Sequence, residues 1–163
     1  MRQYTHHFAR SVVIAETAEQ VFDQLDDPRR VGLHMARGSA MMLGGSMRYH
    51  LDADAGRSVG SVIRIEGRMM GLSILVSERI TERNPPARKV WETFGAQRLI
   101  VMKDYRMGYE TGPVDGATRL RVFIDYSLPS GFPGRWIGAV FAPVYARWCV
   151  SRIADGAMRS LAR

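Results

Sequence analysis

The sequence has a single cysteine, Cys149, so no disulfide can form within the chain. It also lacks a long apolar run, because the longest nearly uncharged stretch, Trp136 to Ala146, is far short of the ~20 residues that span a bilayer. The first ten residues contain no apolar segment of the kind found in signal peptides. We therefore expect a cytoplasmic protein with no transmembrane segment.

Lysine is scarce: only Lys89 and Lys103 occur among the 23 basic residues, which outnumber the 16 acidic residues and give a net charge of +7. A basic excess of this size suits an anionic partner such as nucleic acid or a membrane. The arginines, however, are scattered, and no aromatic-rich RNA-binding signature accompanies them. We interpret the charge as a solvated basic surface and do not expect a nucleic-acid partner.

The sequence contains none of the common catalytic motifs. There is no Gly-x-Ser-x-Gly elbow, no phosphate-binding loop and no GxGxxG after a strand. The four histidines, His6, His7, His34 and His50, show no helical ligand spacing, and there is no second cysteine to help bind zinc. We therefore expect neither a metal nor a cofactor.

The 163 residues suit one domain, 1–163, since no repeat or linker interrupts them. A β-branched segment predicts a first strand over His6 to Ile14. Thr17 to Gln20 is a capping box that begins a helix with one apolar face, Val21, Phe22 and Leu25. Pro28 starts a second short helix, which we expect to end near Met35.

Alternating apolar residues and turn signals predict six more strands. Turns are expected at Asp52 to Gly56, at Asn84 to Pro86, and at Gly112-Pro113 with Asp115-Gly116. The strands fall at about 41–51, 63–69, 72–84, 90–94, 99–109 and 120–128. Strands joined by short turns favour an antiparallel meander.

After a loop over Pro129 to Gly134, the pattern predicts a helix of roughly 28 residues, with a kink at Pro143. A long helix that follows such a sheet covers its concave face, so the predicted class is α+β. One helix face is small and is expected to face the sheet: Ala139, Ala142, Ala146, Cys149, Ile153 and Ala157.

A second stripe on this helix is bulky and consists of Ile137, Phe141, Val144 and Trp148. The preceding loop, a second subunit or a membrane surface could cover it. We predict a homodimer contact there. Alternatively, Pro143 rotates the two halves of the helix so that both stripes reach the interior.

Polar groups on apolar faces are the candidate functional residues. Glu78 shares the face of Leu72, Ile74, Val76 and Ile80, so burial would raise its pKa and suit it to acid/base chemistry. The alternative is that a bulge turns Glu78 outward or that an arginine pairs with it. His34, near the end of the second helix, could gate a cavity or shuttle protons, or could lie on the surface.

Four tyrosines, Tyr49, Tyr105, Tyr109 and Tyr126, also lie in phase with apolar neighbours, either to orient a ligand or simply to fill the core. The ten methionines would suit a cavity for a bulky apolar ligand, or would fill the core. The candidate catalytic residues are Glu78, His34 and Tyr126. The candidate ligand-binding residues are Met41, Met47, Tyr49, Ile74, Val76, Tyr105, Met107, Val122, Ala142 and Ala146.

Several short strings, taken in order, resemble the START-like (SRPBCC) superfamily and its polyketide cyclase/dehydrase and lipid-transport group. They are Ala18 to Phe22, Asp27-Pro28, Val59 to Ser61, Asn84 to Pro86 followed by Val90-Trp91, and Gly116 to Arg119. The resemblance implies a helix-grip fold, with seven antiparallel strands curved around the last helix and a hydrophobic tunnel between them. It does not imply one activity. His34-Met35 with Met41-Met42 resembles a subgroup for which no activity is established.

Three functions remain open. The first is binding or transport of a small apolar molecule of lipid, polyketide or aromatic type. The second is a cofactor-independent cyclase or dehydratase, and the third is an interaction module that uses the basic surface. A cavity lined only by apolar groups would favour carriage, whereas two or more converging titratable groups would favour catalysis.

Overall fold

The computed structural model describes residues 3–31, 47–69 and 71–162. Two helices near the N-terminus, seven strands and one long helix make up this part of the chain. In chain order they are β1 (His6–Ile14), α1 (Ala18–Asp26), α2 (helical at 28–31), β2 (Met47–Leu51), β3 (Val62–Met69), β4 (Leu72–Asn84), β5 (Arg88–Thr93), β6 (Asp104–Val114), β7 (Ala117–Ser127) and α3 (Gly134–Leu161).

The seven strands form one antiparallel sheet in the order β1-β7-β6-β5-β4-β3-β2. β2 to β7 make a meander. β1 pairs with β7 and forms one edge of the sheet, with His6 opposite Tyr126. The predicted α+β class, with seven antiparallel strands, two short helices after β1 and a long last helix, is confirmed. Among the described residues, no helix combines the length and the apolar character needed to cross a bilayer.

The predicted capping box and apolar face of α1 are both present. The Thr17 hydroxyl accepts a hydrogen bond from the Gln20 amide at 3.3 Å, and the Gln20 side-chain oxygen accepts one from the Thr17 amide at 3.0 Å. These two bonds satisfy amides that a helix N-terminus leaves without partners. Val21, Phe22 and Leu25 are buried, so α1 packs its apolar face into the core.

The small-residue face of α3 packs toward the sheet and lies against β1 and β7. Its buried residues are Gly138, Ala142, Ala146, Cys149, Val150, Ile153, Ala154 and Ala157. The prediction for Ala139 is wrong, because Ala139 is exposed and Gly138 takes its place. A Cβ at Gly138 would come within 2.7 Å of Pro129 and 2.9 Å of the Val101 carbonyl oxygen.

Three of the four residues in the bulky stripe of α3 lie outside the core, and Trp148 packs against it. Ile137, Phe141 and Val144 are exposed, and Trp148 is half-buried. The alternative that Pro143 turns both stripes inward is therefore wrong. The stripe needs another explanation, because six turns of small side chains already occupy the sheet-facing side.

Two predicted boundaries differ from the structure. β6 begins at Asp104 rather than at Leu99, and the preceding residues pack apolar side chains inward without joining the ladder. Gly112-Pro113 lies within β6, so the hairpin turns only at Asp115-Gly116, whose φ angles are 44° and 78°. Two consecutive positive φ angles are what a two-residue turn of type I′ requires.

Gly108 in β6 is expected to tolerate no side chain. A Cβ there would lie 2.6 Å from the Lys89 carbonyl oxygen and 2.8 Å from the Phe123 ring. We expect Gly108→Ala to lower the free energy of unfolding by about 1–3 kcal/mol, because backbone must move to make room. Urea denaturation measures this change.

Gly112→Ala in the same strand is the matched control, because a Cβ there meets nothing within 4 Å. Its stability should stay close to that of the wild type. Equal stability of the two variants would contradict the packing of β6 against β5 and Phe123.

Candidate active site

Two small cavities lie between the sheet and α3. The first has a volume of about 70 Å³ and the second about 40 Å³, on a measure by which one water needs about 10–15 Å³. Both are lined mainly by apolar side chains, and they share Ile65, Tyr105 and Met107. Movement of these three side chains would therefore join the two cavities into one.

The first cavity reaches from the sheet toward the helices that follow β1. Leu25, Pro28 and Val31 form its side near α1 and α2. Strand residues of its wall include Tyr49, Ile63, Glu78, Ile80, Lys89 and Trp91, and α3 contributes Ile153. The cavity thus has an apolar body with a few polar groups, which is typical of small-molecule sites.

Glu78 points into this first cavity. Its side chain is only 6% exposed and continues the inward row Ile74, Val76 and Ile80. The bulge of β4 falls between Ile80 and Glu82, beyond Glu78, so it does not turn the carboxyl group outward. Leu72, at the start of that row, is exposed, so the buried apolar face begins two residues later than predicted, at Ile74.

Tyr105 and Trp91 hold the Glu78 carboxyl group. The Tyr105 hydroxyl donates a short hydrogen bond to Glu78 Oε1, and the Trp91 indole N–H also donates to the carboxyl group. Among the residues that the structure describes, no arginine or lysine forms an ion pair with Glu78. Neutral donors therefore stabilise its charge in place of a cation.

Burial raises the pKa of Glu78 from 4.5 to about 7, although the hydrogen bonds from Tyr105 and Trp91 act in the opposite direction. At neutral pH the carboxyl group is then populated in both protonation states. A group with a pKa near the working pH can both accept and return a proton. Perturbed carboxyl groups of this kind are concentrated at functional sites.

Four further titratable groups surround Glu78. Burial and the nearby Glu78 charge raise the pKa values of the Tyr49 and Tyr105 hydroxyls. Burial also raises the pKa of Tyr145 and brings the pKa of the Cys149 thiol to about 12. All four stay protonated at neutral pH, and of the four Tyr105 donates to the Glu78 carboxyl group.

A buried ion cluster fixes α1 beside the cavity. Lys89 Nζ donates to the Asp26 carbonyl oxygen and to Asp26 Oδ1, each at 2.7 Å. Arg83 donates two more bonds to the Asp26 carboxylate, at 3.1 and 2.8 Å. Burial alone would raise the pKa of Asp26, but the hydrogen bonds from Arg83 and Lys89 outweigh it and lower that pKa. The cluster holds the end of α1 against β4 and β5.

Similarity to known proteins is confined to the fold. No family model and no curated protein matches the sequence. Solved structures do match: norcoclaurine synthase from Thalictrum flavum, a point mutant bound to a transition-state analogue, has a TM-score of 0.66 at 11% identity and covers 99% of this chain and 97% of its own. A Chromobacterium violaceum protein has a TM-score of 0.65 at 14% identity, covering 96% and 98%.

Major latex-like protein 151 from Panax ginseng has a TM-score of 0.55 at 14% identity and covers 94% of this chain and 97% of its own. The chain has the helix-grip fold of the START-like superfamily. The sequence resemblance implied this fold, and it is confirmed. At such low identity the likeness concerns the fold alone, so the function of this chain must be argued from its own residues.

The structure brings most of the predicted site residues to the cavities. Tyr49 and Glu78 line the first, Tyr105 and Met107 line both, and Met47, Ile74 and Val76 line the second. His34 and Met41 lie outside the described residues. Val122, Ala142 and Ala146 are fully buried in the core, and Tyr126 stacks on the His6 ring at 5.1 Å. A ligand contact by these four residues stays a prediction.

The sequence reasoning missed several wall residues. Trp91 and Lys89 alternate along β5 on its inward face, a period-two signal that could have placed both beside Glu78. Tyr145 carries no such signal, because it falls between the two stripes of α3. The apolar segment 99–102 lines the second cavity, and its residues had been assigned to a strand.

The Glu78 carboxyl group should make the stability of the protein pH-dependent. Below about pH 4.5 the group is protonated in both the folded and the unfolded chain. Between about pH 4.5 and 7 the folded state holds more protons, so stability falls as pH rises, by an amount on the order of 3 kcal/mol in total. Urea unfolding of the wild type and of Glu78→Gln across this window measures the difference.

Glu78→Gln should lack this loss and be the more stable protein at pH 8. Tyr105→Phe removes a bond that favours the ionised form, so its loss of stability should extend to higher pH. If the free energy of unfolding changed with pH in the same way for Glu78→Gln and the wild type, Glu78 would not be buried as described.

Proposed function

We propose that the protein binds a small, mostly apolar molecule between the sheet and α3. The observation that carries this proposal is the pair of apolar cavities that meet at Ile65, Tyr105 and Met107. Their walls bring the apolar faces of β2 to β6 opposite α3. No catalytic motif is needed for such binding, which requires only enclosed apolar surface.

The polar groups of the first cavity restrict the ligand. An apolar body would fill the space beside Ile63, Ile65 and Met107, and one polar group would face Glu78 and Tyr105. A ligand without such a group would make no hydrogen bond to the Glu78 carboxyl group, and the cost of removing that group from water would be less well offset. We infer a compact molecule of aromatic, polyketide or short lipid type that carries a hydroxyl, carbonyl or amino group.

Native mass spectrometry of the purified protein, followed by denaturing extraction, tests this proposal. A released apolar compound is the expected result. For an empty protein, the fluorescence of 1-aminoanthracene reports access to the cavity. We expect Met107→Trp to weaken the binding of this probe by about tenfold or more, because the larger side chain fills the junction of the two cavities.

Leu72→Trp is the matched control, since Leu72 is exposed and lines neither cavity. Thermal unfolding of both variants confirms that they are folded. Unchanged probe binding in Met107→Trp, or equal loss in the control, would count against a ligand site at this junction.

A second candidate function is cofactor-independent catalysis of the cyclase or dehydratase type. It is favoured by the contact between Glu78, whose pKa lies near 7, and the Tyr105 hydroxyl. Ionised Glu78 could take a proton from a carbon next to a carbonyl group, and Tyr105 could donate to the resulting enolate oxygen. The proton held on Glu78 could then be returned to a leaving hydroxyl group, which departs as water.

Turnover of the extracted compound by Glu78→Gln and Tyr105→Phe tests this second function. General acid/base catalysis by Glu78 predicts that Glu78→Gln lowers kcat by about 10²–10⁴-fold with a smaller change in binding. The wild-type rate should change near pH 7, and Glu78→Gln should lose this inflection. Binding without turnover in the wild type would leave carriage as the function.

The other expectations from the sequence stay proposals: a cytoplasmic location, a homodimer and the absence of a nucleic-acid partner. The pairing of many arginines supports the last of these, because it leaves fewer of them to bind phosphate. Such pairs join Arg10 to Asp155, Arg83 to Asp26, Arg88 and Arg121 to Glu110, and Arg106 to Asp125. Salt-sensitive binding of RNA would instead favour the interaction module.

A further inference from the structure

The first half of α3 and the loop before it expose an unusual number of large apolar side chains. We call this surface the α3 apolar patch; exposure in it ranges from 41% for Ile137 to 85% for Phe132. Its members are Phe132, Trp136, Ile137, Val140, Phe141 and Val144. Spacings of three and four residues place the helical members on one side of α3. They are therefore neighbours on one face rather than scattered residues.

The size of the α3 apolar patch indicates that a binding partner covers it. From the exposed fractions, the six side chains present on the order of 700 Å² of apolar surface, more than the roughly 300–600 Å² of the largest patch on a typical monomer. The opposite face of α3 is already packed against the sheet. The patch therefore plays no part in holding α3 in the fold.

The charges around the patch indicate what covers it. Between positions 129 and 152 the chain carries three arginines, Arg135, Arg147 and Arg152, and no aspartate or glutamate. Arg135 precedes Trp136, while Arg147 and Arg152 follow the patch by one and two turns. A second copy docked patch to patch would bring arginines together with no carboxylate of this segment to pair them. An anionic lipid surface would offer phosphate groups to such arginines; within the fold Arg147 also lies 5.5 Å over the Phe8 ring and Arg152 5.8 Å over the Trp148 ring.

The residue types are those of helices that lie in a membrane interface. Such helices have Trp, Phe and Leu on one face and basic residues beside them, and they are less apolar overall than a membrane-spanning helix. The aromatic members are Phe132 in the loop and Trp136 and Phe141 on the helix, and the two helical ones would lie at the level of the lipid headgroups. Their exposure to water in the folded chain is what makes them available for this role.

The patch adjoins the ligand cavity. Gly138, on the sheet-facing side of the same helical turns, packs against the Val101 carbonyl oxygen. Val101 and Tyr145 both line the second cavity. A membrane bound at the patch would therefore lie beside one wall of the cavity, and apolar molecules accumulate in membranes.

We propose that the α3 apolar patch docks the protein on an anionic lipid bilayer, with Trp136 and Phe141 in the interface and Arg135 and Arg147 on the headgroups. This docking goes beyond the proposed ligand binding and can be measured without any ligand. Each basic residue near an anionic surface adds enough attraction to change the affinity roughly fivefold. Burial of the aromatic side chains in the bilayer interface adds an apolar contribution to the affinity.

Co-sedimentation with vesicles tests the proposal. The full chain is mixed with vesicles of phosphatidylcholine alone and of phosphatidylcholine with phosphatidylserine. We expect binding to the mixed vesicles, a loss of about tenfold or more for Trp136→Ala with Phe141→Ala, and a loss of roughly fivefold for each of Arg135→Gln and Arg147→Gln. Leu72→Ala with Val59→Ala is the control, because both residues are exposed apolar side chains outside the patch.

Each alternative outcome overturns the proposal. Wild-type affinity in the aromatic double variant would show that the basic surface alone attracts vesicles. Absence of sedimentation with the mixed vesicles would remove the membrane as partner. A dimer in light scattering that Trp136→Ala with Phe141→Ala dissociates, with no vesicle binding, would assign the patch to a second copy. Binding of 1-aminoanthracene by the same variants shows separately whether the cavity is intact.

Discussion

The constraint on which the rest of the structure depends is the small size of the side chains that α3 turns toward the sheet. Gly138, Ala142, Ala146 and Cys149 let the helix approach β1 and β7 closely at one side. Farther along the sheet, the α3 residues that line the two cavities are Tyr145, Cys149 and Ile153. Larger residues on the small-residue face would hold α3 farther from β1 and β7 and would change the space between the helix and the sheet.

The second determinant is the cost of burying Glu78. Within the described residues no cation pairs with its charge, and hydrogen bonds from Tyr105 and Trp91 offset part of the loss of hydration. A leucine or methionine at this position would pack at no such cost, so the carboxyl group is a poor choice for stability. Costs of this kind are characteristic of functional sites, where local stability is given up for chemistry or recognition.

The nearby buried carboxylate of Asp26, unlike that of Glu78, is paired with basic side chains. Asp26 receives hydrogen bonds from Lys89 and Arg83, which also fix the last turn of α1. Removing one partner of such a cluster leaves a buried charge uncompensated, so the cluster fixes one arrangement of α1 over the strands. The contrast between paired Asp26 and Glu78, held only by neutral donors, separates a structural carboxylate from a candidate functional one.

Local chemistry made much of the fold predictable from the sequence. The capping box at Thr17, the alternation along β4 and the small stripe of α3 each depend on residues close together in the chain. Each forms as predicted except at Leu72 and Ala139, which are exposed. The segment 99–103 was misjudged because its apolar residues look like a strand. Residues 99–102 line a cavity instead, and pairing with β7 begins only where the Lys103 amide donates to the Ser127 carbonyl oxygen.

By itself the sequence determined that Glu78, Tyr105 and Tyr126 lie in phase with apolar neighbours, because strand alternation decides which residues share a face. It could not decide which of the two tyrosines meets Glu78. The pairing of β4 through β5 to β6, together with the placement of α3, brings Tyr105 to the carboxyl group and leaves Tyr126 stacked on His6. Strand register and helix position arise from contacts distant in the chain, so only the tertiary structure could assemble the site.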